Sequence, residues 1–478
     1  MSRKAYIYSI TSSVLFFLVS IYLFLSGDSG WDKTYVGYCS WLAVLLVVNQ
    51  ALIGCVLTKD RNWVQIDLYF VIMFFAIHFW AWFGDSVGIF ALGRLPNPKY
   101  NTYVNYGVAL SLLGMCAFVL GFNLLKRKPY PSVIRLLKSE RRNWARIGNY
   151  VFFTGALLTL LYALYFGRSA FEGNYLGSST GGLGLRAMYL LQQILVKIGI
   201  AIILISSSNK NKVIPANKLQ IAVFVAVLAM YLVLGDRSEV VYTVAVAMFA
   251  YSIAYKKISV VILLLGILGF SFLSSAVRIA RTDSDRSLAT IYSVLVSGRE
   301  EVSVVSGVEN LAGSGFNVLA ATSAIPEEWD FFNGKLKIKE ALGIIPYGRY
   351  LFYKRDESLP FDNSSTFLTW YILGPNSSWG VGSTIIADLY VDFGSTGVAI
   401  GMFLVGLLAA KVRNIAMRGN STVVIVAFSY FAGLFVILPR YSFLVIIRGL
   451  LWPLVFLFLL KKFGVGPIKK EKIRAIQQ

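Results

Sequence analysis

The stretch "LQIAVFVAVLAMYLVLGDRSEVVYTVAVAMFAYSIAYKK" (residues 219–257) holds two charge-free runs of 16 residues, separated by Gly235, Asp236, Arg237, Ser238 and Glu239. At about 1.5 Å of rise per residue, a helix of that length approaches the roughly 30 Å hydrocarbon thickness of a bilayer. The stretch therefore reads as two spanning helices joined by a polar turn at one membrane face. Four polar side chains grouped where a span ends pose the functional question: a solvated turn, or a group that holds something.

The same pattern repeats along the chain. Of 478 residues, 57% are hydrophobic and only 14% charged, where a soluble chain carries about 25% charged residues. Apolar runs place twelve spans near residues 5–26, 36–57, 64–83, 104–125, 148–167, 187–207, 219–234, 240–255, 258–277, 384–410, 421–438 and 442–460. The expected fold is an all-α polytopic membrane protein of about 12 transmembrane helices. The first apolar run is too long for a signal-peptide core and lacks an A-x-A site, so it reads as a retained span. Cys39, Cys55 and Cys116 lie in or beside spans and show no metal or disulfide spacing.

Charge orients these spans, because basic residues of short loops stay on the cytoplasmic side. With the first residues inside, alternate segments separate sharply: 26 basic against three acidic residues inside, 19 basic against 21 acidic in the remainder. The net charge of +21 is thus a topology signal and not a nucleic-acid footprint. Both termini are expected in the cytoplasm. Near residues 131–147, Val133, Leu136, Leu137, Trp144 and Ile147 share one helical face with basic residues around them, the pattern of a helix lying on an anionic leaflet.

By the same parity, residues 278–383 form one large external segment, between a nine-span membrane domain (1–277) and a three-span one with a basic tail (384–478). A loop of this length is usually functional or structured in its own right. "LATIYSVLV" (288–296) and "KIKEALGIIPYGRYLFY" (337–353) read as short amphipathic helices, so the loop is expected to be mostly helical. Its aromatic residues, among them Trp329, Phe331, Phe332, Tyr347, Tyr350, Phe352, Tyr353, Trp370, Tyr371 and Trp379, either pack the loop onto the membrane domain or offer flat faces to a sugar.

The usual catalytic signatures are absent. One histidine rules out an H-E-x-x-H zinc site, and there is no Walker loop, G-x-S-x-G or post-strand G-x-G-x-x-G. "TDSDR" (282–286) holds an Asp-x-Asp, but it stands outside the cytoplasm, where nucleotide sugars are lacking, and no metal or cofactor is expected. Ionisable groups inside spans carry more information, since an unpaired charge in hydrocarbon costs several kcal/mol. They are Asp67, His78, Lys197, Asp388, Asp392 and Arg448, with Asp388 and Asp392 spaced i, i+4 on one face of the tenth span. Interhelical ion pairs would account for all of them. His78, near the external end of the third span, is either a hydrogen-bonded imidazole or a general base.

External arginines form the clearest theme: Arg237, Arg278, Arg281, Arg286, Arg299, Arg349, Arg440 and Arg448. A guanidinium forks onto phosphate oxygens and stays charged when partly desolvated, which suits a lipid diphosphate at the outer face. Asp236 can cap the helix that follows it, with Glu239 in capping-box spacing. Capping leaves Arg237 unexplained, and a guanidinium beside a helix start makes an anion site.

Two stretches resemble the Wzy-type O-antigen polysaccharide polymerases. They are "ENLAGSGFNVLAATSAIPEEWDFFNGKLKIKEALGIIPYGR" (309–349) and "GVGSTIIADLYVDFGSTGVAIGMFLVG" (380–406), the latter with Asp388 where the family pattern has Glu before Leu-Tyr. The resemblance implies a bacterial inner-membrane enzyme with a large periplasmic loop. It would transfer a growing glycan from undecaprenyl diphosphate to a hydroxyl of the next lipid-linked repeat unit, at the periplasmic face. A leaving diphosphate needs fixed positive donors, for which Arg237, Arg278, Arg281, Arg440 and Arg448 are the candidates. His78, Glu239 and Asp388 are the candidate bases. The partners implied are lipid-linked oligosaccharides, membrane lipids and a polysaccharide chain-length regulator. A flippase of the same lipid-linked sugar, and an O-antigen ligase, are the competing readings.

Overall fold

The computed structural model describes residues 3–57, 62–89, 92, 95, 97–126, 138–171, 183–206, 216–233, 236–259, 261, 266, 269, 313–345, 361–375, 377, 380–418 and 421–464. Every regular element among them is helical. In chain order these are α1 (Arg3–Ser26), α2 (Lys33–Ala51), α3 (Ile66–His78), α4 (Trp80–Ser86), α5 (Val104–Leu125), α6 (Lys138–Phe171), α7 (Leu183–Ser206), α8 (Lys218–Val233) and α9 (Arg237–Ala254). They continue with α10 (Phe316–Ala324), α11 (Lys335–Leu342), α12 (Ser364–Leu373), α13 (Ile385–Ala416), α14 (Thr422–Ile437) and α15 (Val445–Leu459).

Seven of the described helices are long and apolar enough to cross a membrane, and α3 with α4, bent by 63° at Phe79, make an eighth if counted as one span. The protein is a multi-pass membrane protein. Helices α8, α9 and α15 fall on three further expected spans but do not meet the same length and apolarity. The span expected at 258–277 lies almost wholly outside the described residues, and the stretches 282–286, 288–296 and 346–360 lie outside them entirely. The basic residues from Lys138 onward are continuous with the next span, because α6 is a single 34-residue helix.

Burial sorts the helices by position. Leu15, Leu18, Tyr22 and Leu25 leave α1 exposed along one side, as a lipid-facing helix should be, while α5 and α14 are buried along most of their length. Close packing depends on small residues where backbones touch. Gly121 of α5 and Gly406 of α13 face each other so closely that a Cβ on either would clash with the other helix's backbone. Within the bundle, Asn123 donates to Ser13 Oγ (2.8 Å) and Gln50 Oε1 (3.1 Å), tying α5 to α1 and α2.

Helix α13 is not straight. Gly394 has φ 66° and ψ −163°, a backbone conformation open essentially to glycine alone. The chain folds back there: the Leu389 side chain lies where a Cβ on Gly401 would stand, 2.8 Å away, although twelve residues of straight helix would separate the two by about 18 Å. Residues 385–393 thus form a short helix doubled back along 395–416, and the 22-residue second limb remains long enough to span, at about 33 Å. The break strands carbonyls that the helix would otherwise bond. Phe332 N–H donates to Val391 O (3.1 Å) and Asn333 N–H to Asp392 O (2.9 Å), so the preceding loop supplies what the helix has lost.

That loop packs on its own aromatic residues. Trp329, Phe332, Phe361, Phe367 and Trp370 meet mostly edge to face, with centroids 5.0–6.4 Å apart, in the geometry the ring quadrupole favours. Phe331 meets Tyr390 at 5.7 Å, and Tyr390 donates its hydroxyl to Ile325 O (3.2 Å). These rings fasten the loop to itself and to the folded-back limb.

Candidate functional site

The fold-back places Asp388 and Asp392 one turn apart on the short limb of α13, both 0% exposed. Their i, i+4 spacing aims both at Lys337 of α11. Lys337 Nζ lies 2.7 Å from Asp388 Oδ1, 3.0 Å from the Asp388 carbonyl and 2.8 Å from Asp392 Oδ2, so all three of its protons are used. Asp388 also accepts from the Ser364 hydroxyl and, at 2.7 Å, from the Phe443 N–H. Asp392 Oδ1 accepts from the Gly334 N–H (3.1 Å). Desolvation works against the Lys337 ammonium, yet the two carboxylates beside it leave its pKa raised. This knot joins the loop helices α11 and α12, the folded-back limb of α13 and the turn before α15.

Glu340 lies one helical turn from Lys337 on α11. Its carboxyl is partly buried; Oε1 accepts from the Ser442 hydroxyl, and Oε2 is shielded from solvent without a hydrogen-bond partner. Burial, then the negative charge of Asp388, push its pKa up to about 7, against the lowering influence of Ser442, Lys337 and Arg448. Sequence reading missed both Lys337 and Glu340. The available signal was that "KLKIKEAL" carries charge on more than one helical face, so at least one charge had to be met by something other than water.

The candidates of the sequence divide as follows. His78, 3% exposed, ends α3 at the bend, stacked on Phe74 (4.3 Å) and set against the Pro439 backbone. Neither of its ring nitrogens has a well-formed hydrogen bond. Arg440 closes the 3₁₀ turn Leu438–Arg440, two residues before Ser442. Arg448 is exposed in the first turn of α15. Among the described residues no carboxylate oxygen comes within 4 Å of Arg440 or Arg448. Arg448 acts electrostatically on Glu340. Asp388, Arg440, Arg448 and the His78 end of α3 are thus gathered at one end of the bundle. Arg278 and Arg281 lie outside the described residues.

Glu239 and Arg237 belong to a different group. Asp236 caps α9, its Oδ1 accepting from Glu239 N–H (3.1 Å) and Ser238 Oγ (2.8 Å), and its Oδ2 from the Tyr189 hydroxyl (2.7 Å). The Glu239 carboxylate forms an ion pair with Lys197 of α7, whose ammonium also sits 4.1 Å from the Tyr242 ring centroid. Arg237, half-buried, already has an interaction within the chain. A third buried pair, Asp67 with Lys126 (2.9 Å), joins α3 to α5 at the opposite end of the bundle. No group of three or more metal-ligating side chains occurs among the described residues.

The pattern that defines the O-antigen polysaccharide polymerase Wzy family matches residues 8–470, nearly the whole chain. The chain belongs to the Wzy family. No curated protein and no solved structure matches it. Members of this family are O-antigen polymerases, which makes the protein a membrane polymerase of glycosyltransferase type. Both stretches that carry the resemblance in sequence, 309–349 and 380–406, meet at the Lys337 knot.

Proposed function

We propose that the cluster of Lys337, Glu340, Asp388, Asp392, Arg440 and Arg448 is where a glycan passes from undecaprenyl diphosphate to the next lipid-linked repeat unit, at the periplasmic face. One observation carries this reading. Arg440 and Arg448 stand at this cluster without a carboxylate within ion-pairing distance among the described residues, while the nearest aspartates are already paired with Lys337. Unspent guanidinium charge suits a diphosphate leaving group, whose charge grows as the glycosidic carbon departs. Arg278 and Arg281, outside the described residues, are proposed as further contacts along the lipid diphosphate, whereas Arg237 stands with Lys197 and Glu239 and is already engaged within the chain.

The substrate's hydrophobic tail would lie in the bilayer beside the exposed apolar side of α15, where Ile447, Leu451 and Leu454 face outward. That puts the diphosphate at the start of α15, level with Arg448. The aromatic loop above would shield the reacting sugars from water, which would otherwise hydrolyse the donor.

The test is proteoliposomes holding the purified protein and lipid-linked repeat units, without nucleotide. A ladder of lengthening glycans is expected. Arg448→Ala and Arg440→Ala should each reduce the initial rate by about a hundredfold or more, the usual cost of one lost charge-stabilising donor. Units that cross the bilayer without lengthening would make the protein a flippase, and transfer only to lipid A core sugars would make it a ligase.

A further inference from the structure

We propose that Glu340 is the proton acceptor for the attacking sugar hydroxyl, a role that rests on the site assignment above. Three candidate bases are visible in the sequence, and the structure occupies or encloses each of them. The Asp388 oxygens are filled by Lys337, Ser364 and the Phe443 N–H. Glu239 is held by Lys197. His78 is buried at the bend of α3, stacked on Phe74 and set against the Pro439 backbone. Glu340 alone among the carboxyls of this cluster keeps an oxygen, Oε2, that accepts from nothing among the described residues.

A desolvated carboxylate oxygen without a donor is costly, and a substrate hydroxyl would relieve it. The groups facing Glu340 fit the task. Ser442, from the turn before α15, fixes Oε1 and so aims Oε2; Lys337 of the same helix and Arg448 of α15 supply positive charge; Asp388 of the doubled-back limb opposes ionisation. Arg448 thereby lies between the base and the proposed diphosphate, so one residue senses both ends of the reaction.

The transfer balances without a metal or nucleotide. The acceptor hydroxyl donates to Oε2, and its oxygen forms the new bond to the anomeric carbon. As that bond forms, the carbon–oxygen bond to the diphosphate breaks and its electron pair leaves with the lipid diphosphate. The hydroxyl proton passes to Glu340 and is later lost to water. Because the working form is the carboxylate, and burial with Asp388 holds the pKa near 7, the rate should rise with pH through about 7 and level off above it.

Initial rates of glycan lengthening, measured in proteoliposomes from pH 5.5 to 9 with lipid-linked repeat units as the probe, test this. Wild type should show an acid limb near pH 7. Glu340→Gln keeps the shape and an acceptor for Ser442, and is expected to lower kcat on the order of 10²–10⁴-fold, abolish the limb and change KM little. Ser442→Ala, which removes a bond that favours the ionised form, should move the limb to higher pH; it carries the test if Glu340→Gln fails to accumulate. A Glu340→Gln enzyme with wild-type kcat and limb, or a Ser442→Ala limb that does not move, overturns the role of Glu340 while leaving the polymerase reading intact. Wild-type protein that lengthens nothing overturns both.

Discussion

Two buried lysines show how differently this chain uses the same charge. Lys197 meets a single carboxylate, Glu239, across the α7–α9 contact, and the Tyr242 ring covers what remains. Lys337 meets two, Asp388 and Asp392, and beside it stand Glu340 with an open oxygen and Arg440 and Arg448 without ion-pair partners among the described residues. The first site is matched in charge: one ammonium faces one carboxylate. The second is balanced in sum, three cations facing three carboxyl groups, but its charges are unevenly paired, and the unevenness is where a substrate can enter.

Removing one member of each pair should sharpen that contrast. Lys337→Met strands two buried carboxylates and frees the loop from the doubled-back limb, and breaking such pairs costs about 3–5 kcal/mol. Failure to accumulate in the membrane is the expected result, read by blotting, with partial recovery when Asp388→Asn and Asp392→Asn are added. Full accumulation of Lys337→Met would mean the knot does not hold the loop.

Glu239→Gln should cost about 3 kcal/mol by leaving one ammonium unpaired, seen as a lower detergent thermal midpoint. The apolar pair Lys197→Met with Glu239→Leu should recover it, because a matched pair contributes little beyond cancelling its own desolvation. If that double variant is stable but loses as much polymer as Arg448→Ala, the matched site is more than structural.

Gly394→Ala is the smallest change. It forces an alanine into φ 66° with Phe331 atoms at 3.3 Å from the new Cβ, at a cost of about 1–3 kcal/mol. A thermal midpoint equal to wild type would show that the fold-back does not depend on glycine at this position.

These elements also show what the sequence could and could not tell. Spans were legible because hydrocarbon demands long apolar runs, and the Asp236 cap because its signal lies within four residues of chain. The i, i+4 relation of Asp388 and Asp392 was legible as a shared face. Their partner was not, since Lys337 lies about fifty residues away and nothing local links the two. The fold-back at Gly394 was hidden for a related reason: apart from its two aspartates, 385–410 has no charge and is largely apolar, and a continuous span and a doubled-back one have the same hydropathy. Lys126 was legible as a basic residue at a span's end, but a count of loop charges does not distinguish an exposed lysine from one buried against Asp67. The arginines drew notice by type, whereas Glu340 sat in a short helix that resembled an ordinary charged surface.

The central claim is that the cluster around Lys337 and Glu340, and not the α8–α9 turn, holds the lipid diphosphate. Electron cryomicroscopy of the protein in nanodiscs with lipid-linked repeat units addresses it directly. The account requires diphosphate density between Arg440 and Arg448, with an acceptor sugar oxygen within hydrogen-bonding distance of Glu340 Oε2. Density bound at Arg237 beside the Lys197–Glu239 pair, with the cluster around Lys337 and Glu340 empty, would contradict it.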